Sequence, residues 1–185
     1  GGGISGIIAS KIAAKNNLKT ILIEDKNILG GSTIFQKNEN YKINDKYSGV
    51  WVDEEIAELK KLDNLTIKNR TSLAAYHSYN YLLAKENISD HLPLDKRNGG
   101  IRQRLWKIRA DKVIVATGAI ERPLVFNNND RPGIMLSNSV KKYLDFYGVS
   151  CGLNNVIFTN NDRAYETAVS LLSLIHISEP TRPSI

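Results

Sequence analysis

Apolar residues in this chain gather in short β-branched runs separated by helical stripes, the alternation of a layered α/β protein. The clearest run is Val113-Ile114-Val115, which follows Asp111-Lys112 and ends abruptly in Ala116-Thr117-Gly118. A run without polar alternation suits a parallel strand buried on both faces. Thr20-Ile21-Leu22-Ile23 reads as another strand, closing on Glu24-Asp25, and Leu65 to Asn69 as a short third. Ile7 to Ala14 forms an apolar helix start, and Val50 to Leu62 predicts an amphipathic helix with Val52, Ile56 and Leu59 on one side. Residues Gln36 to Gly49 are polar and irregular. Leu73 to Leu94 carries Tyr76, Tyr79 and Tyr81 in the manner of an antiparallel hairpin, and a glycine turn at 97–100 leads into a return strand from Ile101 to Ala110. Beyond it, Ser139 to Tyr147 predicts a helix stopped near Gly148, Asn155 to Thr159 a strand, and Arg163 to Leu172 a further helix.

The turns between these elements carry the chemistry. Gly1, Gly3 and Gly6, with Ser5 between the last two, satisfy G-x-G-x-x-G directly before the first helix. In that motif the first glycine makes a tight turn, the second admits a pyrophosphate and the third lets helix and strand pack closely. Amides at the helix start would then face the phosphates. Glu24 follows Gly3 by 21 residues (24 − 3), near the spacing of about 20 expected for an acid on a ribose hydroxyl, and Asp25 is beside it. Gly30-Gly31-Ser32 forms a second glycine turn, with Gly31 and Ser32 expected along the cofactor. Ala116, Thr117 and Gly118 end a strand with small side chains, where a ligand can approach the backbone closely. The motif should follow a strand, and none precedes Gly1, so the sequence reads as a fragment cut at or inside its first β–α turn. The later turn has Thr159, Asn161 and Ala164 where glycines would stand, which argues against a standard dinucleotide there.

Composition narrows the choice. With 185 residues, 42% hydrophobic and 24% charged, the chain can form one domain and the start of another. It contains no apolar run of the roughly 18 residues that span a bilayer, so no membrane partner is expected. A single cysteine, Cys151, excludes an internal disulfide, a Cys-x-x-Cys redox pair and a multi-cysteine metal site. A reducing cytoplasm is the expected compartment. The net charge of +6 raises nucleic acid as a partner. Its densest basic stretch, Arg102 to Lys112 with Trp106, reads instead as a solvated hairpin or a subunit interface, so no nucleic acid is expected. His77 and His91 lack metal-ligand spacing, and no metal site or catalytic residue is assigned. The expected domains are 1–134, truncated at its start and including a hairpin region near 73–110, and 135–172, the start of a second Rossmann-like domain. Residues 173–185 break the helical pattern and resemble a translated sequencing adapter.

Four strings extend these observations: RQRLWKIRA (102–110), ATGAIERPLVF (116–126), NDRPGIML (129–136) and FTNND-x-AY (158–165). On these strings the chain resembles the large (alpha) subunit of the heterotetrameric sarcosine oxidases, in its FAD/NAD(P)-binding region. The resemblance implies an α/β fold with a Rossmann-type doubly wound parallel sheet, of the two-dinucleotide-domain, glutathione-reductase-like flavoprotein kind, with the first strand missing. It implies a complex that oxidatively demethylates sarcosine to glycine with hydrogen peroxide and passes the one-carbon unit to tetrahydrofolate. The amine substrate and FAD would lie on the beta subunit, FMN at the alpha–beta interface, and folate on a later domain of the alpha subunit. NAD would occupy this region, with Gly1, Gly3 and Gly6 at its pyrophosphate, Glu24 at its ribose, and Gly31, Ser32, Thr117 and Gly118 along it. FAD remains the alternative cofactor. An FAD-dependent pyridine-nucleotide oxidoreductase, or a subunit of another amine or amino-acid dehydrogenase, remains the alternative protein.

Overall fold

The structure, a computed structural model, describes residues 1–35, 41–97 and 99–178. The chain separates into two compact units, Gly1–Gly118 and Ala119–Ile185.

In the first unit, helix α1 (Ile4–Lys15) rises directly out of the glycine turn and leads to strand β1 (Thr20–Ile23). A 3-10 turn (Gly31–Phe35) and a small hairpin, β2 (Lys42–Ile43) with β3 (Lys46–Tyr47), follow. Helix α2 (Ser48–Leu59) then returns the chain to strand β4 (Leu65–Lys68). β1 and β4 pair in parallel, Thr20 opposite Leu65 through Ile23 opposite Lys68. Such a pairing needs a crossover, and α2 supplies it. One face of this pair is closed by the two helices: Ile7, Leu22, Leu29, Trp51, Val52 and Leu59 form one buried cluster. Lys11 fastens the helices together, with Nζ 2.7 Å from Glu55 and 2.7 Å from Glu58. Hydrogen bonds to these two carboxylates raise the Lys11 pKa above its ordinary value.

Three antiparallel strands complete the unit: β5 (Thr71–His77), β6 (Tyr81–Asn87) and β7 (Gln103–Arg109), in the order β5-β6-β7. The expected hairpin and return strand are therefore present. Glu86 on β6 gathers the cations and the indole around it: Trp106 Nε1 donates to it at 2.7 Å, Arg104 lies at 3.5 Å, and Lys68 at 3.8 Å. Lys68 also stands over the Trp106 ring at 4.2 Å. Part of the basic stretch from 102 to 112 is thus engaged within the sheet. The strand junction is tied by Arg70, whose backbone adopts a left-handed φ of 51°. Its N–H donates to the Lys26 carbonyl at 2.8 Å, and its guanidinium reaches Asp90 at 2.8 Å.

That guanidinium holds the Asp90 carboxyl below the usual range. A depressed folded pKa contributes stability above the unfolded pKa of about 3.9, and the contribution disappears as pH falls through the folded value. Urea midpoints measured from pH 7 to 2.5 are therefore expected to show Asp90→Asn less stable than the parent at neutral pH, with the gap closing in acid. A gap that stays constant across the range would show that Arg70 does not select the charged form of Asp90.

In the second unit, helices α3 (Ser137–Tyr147) and α4 (Arg163–Ser178) pack together. Ser137 Oγ lies 2.7 Å from Thr167 Oγ1, and the buried Lys141 reaches Glu166 at 3.1 Å. Gly148 ends α3 as expected, in the left-handed conformation at φ 66°, with Gly148 N–H on the Leu144 carbonyl and Val149 N–H on that of Tyr143. Glu121 supplies the opposite cap, accepting from Ser137 N–H at 3.2 Å and Asn138 N–H at 2.8 Å.

Several expectations are corrected. Val113–Val115 is not a buried strand: it has no assigned pairing, and Ile114 and Val115 are 67% and 74% exposed. A strand exists only with hydrogen-bonded neighbours, and among the described residues none lies alongside this run. Asn155–Thr159 is unpaired for the same reason, with Val156 97% exposed. The stretch 36–49 is not irregular throughout, since it holds the β2–β3 hairpin and the start of α2, although 36–40 lie outside the described residues. The α4 helix does not stop near Leu172 but continues through Ser178; residues 179–185 are outside the described region. Mixed α/β architecture with a parallel sheet pair is what the structure contains.

Candidate functional site

The glycine turn, the carboxyl end of β1, the second glycine turn and the 116–117 segment converge in the first unit. Their closeness depends on missing side chains. A Cβ on Gly31 would stand 2.8 Å from Gly3 Cα, and one on Gly6 would meet the carbonyl oxygen of Gly1. A Cβ on Gly1 would in turn meet the Ala116 carbonyl, with Thr117 Cα 3.5 Å away. Gly1, Gly3, Gly6, Gly31, Ala116 and Thr117 therefore lie close together. Gly118 is different: it turns at φ 74°, exposed, and a Cβ there would meet nothing within 4 Å. Ser5 and Ser32 are both exposed, Ser5 in the first turn of α1 and Ser32 in the 3-10 turn.

The start of α1 has neither a side-chain cap nor an acid in its first turn. Its first intrahelical bond runs from Ile7 N–H to Gly3 O at 2.9 Å. Earlier amides of the turn have no acceptor four residues back, and with the helix dipole they present a positive end. The start of α4 contrasts with it. There Asn161 Oδ1 accepts from Arg163 N–H at 3.1 Å.

Glu24 is the buried acid of the site, 5% exposed. One carboxylate oxygen accepts the Gly2 N–H, and the other accepts the Lys26 N–H at 3.0 Å. Asp25 is exposed next to it; a hydrogen bond with the Glu24 carboxyl holds its pKa below the usual range, and Lys26 adds to that. Sequence reasoning gave Gly2 no role and placed Gly30 only in the second glycine turn. Gly30 N–H donates to Gly2 O at 2.7 Å, and its backbone φ of 123° is open to glycine but not to an L side chain. A side chain on Gly30 would also press on Ile34 at 2.7 Å and Val52 at 3.2 Å. For Gly2 the signal was present as the middle residue of three consecutive glycines, of which the motif uses the first and third.

The turn is thus a cradle without Cβ atoms, bordered by the buried carboxylate of Glu24. Among the described residues, no group of three or more His, Cys, Asp and Glu side chains could hold a metal ion. No described helix is long and apolar enough to cross a membrane.

Fold and turn together place the chain in a class of α/β proteins that includes an amino-acid oxidoreductase. L-proline dehydrogenase from P. horikoshii matches it with a TM-score of 0.62 and 28% identity, over 82% of this chain and 28% of that one. By sequence the chain is similar to proteins named sarcosine oxidase subunit alpha. The Corynebacterium sp. (strain P-1) protein of that name is 37% identical over 171 residues, 92% of this chain. Those of Corynebacterium sp. (strain U-96) and Rhizobium meliloti (strain 1021) are 35% and 33% identical over 89% and 92% of it. The chain is thus related to sarcosine oxidase alpha subunits along about nine-tenths of its length, as the four strings implied. It spans 17–18% of the length of these relatives. No protein-family model matches the chain.

Proposed function

We propose that this chain is the nucleotide-binding part of a sarcosine oxidase-like large subunit, within a multi-subunit oxidoreductase acting on the CH–NH bond of a small amine. The reading is carried by 37% identity to a sarcosine oxidase alpha subunit over 171 residues, 92% of this chain. Its sheet and turns would belong to a Rossmann-type domain of the two-dinucleotide flavoprotein kind. NAD is the proposed ligand and FAD the alternative, since both present the same diphosphate and ribose. Amides at the start of α1 would hold the diphosphate, Glu24 a ribose hydroxyl, and Gly31, Ser32, Thr117 and Gly118 would line the nucleotide. Bound, such a cofactor supplies hydride acceptance, and the protein supplies orientation and electrostatics. Amine oxidation, with FAD and FMN, would reside on or against the beta and smaller subunits. Transfer of the one-carbon unit to tetrahydrofolate would belong to another part of the large subunit. The complex would work in the cytoplasm, without nucleic acid or membrane.

The match to L-proline dehydrogenase favours a second reading, a subunit of another amine or amino-acid dehydrogenase. Mass spectrometry of nucleotide released from the purified protein separates the two. NAD without flavin is expected. Stoichiometric FAD would move the assignment to a conventional flavin-dependent dehydrogenase, and failure to retain or bind either nucleotide would remove the proposed site.

A further inference from the structure

The acid at the end of β1 does something a ribose contact does not require. Glu24 is buried, and its carboxylate is directed to the Gly2 N–H within the glycine turn. Its other oxygen takes the Lys26 N–H at 3.0 Å, which stops the side chain from swinging away. The main chain of Glu24 is equally fixed: its N–H donates to the Lys68 carbonyl at 2.9 Å, and its carbonyl accepts the Thr71 N–H at 2.8 Å. The parallel strand pair therefore sets where the carboxylate sits, and the carboxylate sets the peptide plane at Gly2. From Gly2 the constraint continues to the second glycine turn, because the Gly2 carbonyl accepts the Gly30 N–H at 2.7 Å. Gly30 is held in turn by Thr33, whose hydroxyl donates to the Gly30 carbonyl at 2.5 Å. A hydrogen bond shielded from water is electrostatically stronger than one exposed to it.

We infer that Glu24 is a positioning residue for the glycine turn: by fixing Gly2 it holds the first amides of α1 and the Gly30–Gly31 turn in register for a nucleotide diphosphate. This rests on the proposed nucleotide site and goes beyond the ribose role given to the same carboxylate there. The two roles differ in which ligands they affect. A ribose contact matters only when the ribose hydroxyls are present, whereas a held turn matters for any ligand with the diphosphate.

The test is calorimetric titration of the full chain with ADP and with 2′,3′-dideoxy-ADP, which lacks the ribose hydroxyls. Parent, Glu24→Ala and Glu24→Gln proteins are compared, with amide hydrogen exchange at Gly2 as a second readout. Stranding a buried N–H without an acceptor weakens the preorganised turn by about a factor of ten or more. Glu24→Ala is expected to lose about tenfold in dideoxy-ADP affinity and to speed Gly2 exchange. Glu24→Gln keeps one acceptor oxygen, so it should lose less on both readouts, and it decides the matter should the alanine variant not fold. Dideoxy-ADP binding unchanged or tighter in the variants, with only ADP weakened, would confine Glu24 to the ribose and overturn the inference. Absence of binding of either probe by the parent protein would instead overturn the nucleotide site itself, and the inference with it.

Discussion

Gly6→Ala is expected to lower the melting temperature by several degrees and to abolish nucleotide retention. At an ordinary helical position the change would stabilise, by roughly 0.5–1 kcal/mol, because alanine loses less backbone freedom on folding. Here the added methyl would be driven into the carbonyl oxygen of Gly1, with Leu22 Cδ1 at 3.5 Å behind it. Gly1 is backbone and cannot rotate aside as a side chain could, so α1 must move away from its turn. Overpacking of this kind costs about 1–3 kcal/mol, and collision with main chain belongs at the upper end. The clash therefore outweighs the propensity gain. At roughly 2–4 °C per kcal/mol for a protein of this size, a fall of about 5 °C or more is expected in a thermal melt. A melting point equal to or above that of the parent would show that helix and turn are not in close contact at Gly6. The expected functional loss is larger than the thermal one, because the displaced amides are those proposed to meet the diphosphate.

Ile7→Ala should destabilise the first unit by about 2–5 kcal/mol, the range for removing a buried aliphatic side chain and leaving a cavity. Ile7 has no solvent exposure and lies in the cluster with Leu22, Leu29, Trp51, Val52 and Leu59. These neighbours come from α2, β1 and the loop after it, so collapse around the hole is restricted. Both tryptophans, Trp51 and Trp106, fall in the first unit, which allows its unfolding to be followed by fluorescence without a signal from the second. The urea midpoint should drop with the slope unchanged. A shift below about 0.5 kcal/mol would mean that α1 is not packed on the sheet as described, since that is the scale of a surface substitution. Ile7 directly follows Gly6, so the two variants separate the effect of the turn from that of the core beneath it.

Much of the local architecture was legible because its causes are local. Thr20–Ile23 is β-branched and bounded by polar residues, and it forms a strand over those four residues. The alternating tyrosines before and after Tyr79 give a hairpin, and Gly148 stops α3 because only glycine enters the left-handed region without strain. The glycine spacing and Glu24 drew attention to the region that the structure brings together.

What was misread concerns partners. Val113–Val115 has the composition of a buried strand, yet composition cannot provide the neighbour to which a strand must bond. Residues 42–47 contain no strong apolar pattern, and their hairpin forms at the foot of α2 where the chain must reverse.

The chain's residue order alone determined the periodicities and the glycine spacing of residues 1–6, because each is a property of residues close in sequence. Only the tertiary structure decided that the Glu24 carboxylate spans to Gly2, that Gly30 answers it, and that Arg70 faces Asp90. Those contacts join residues separated by up to 28 positions (Gly2 to Gly30), and their geometry is set by how helix, strand and turn pack rather than by any local preference.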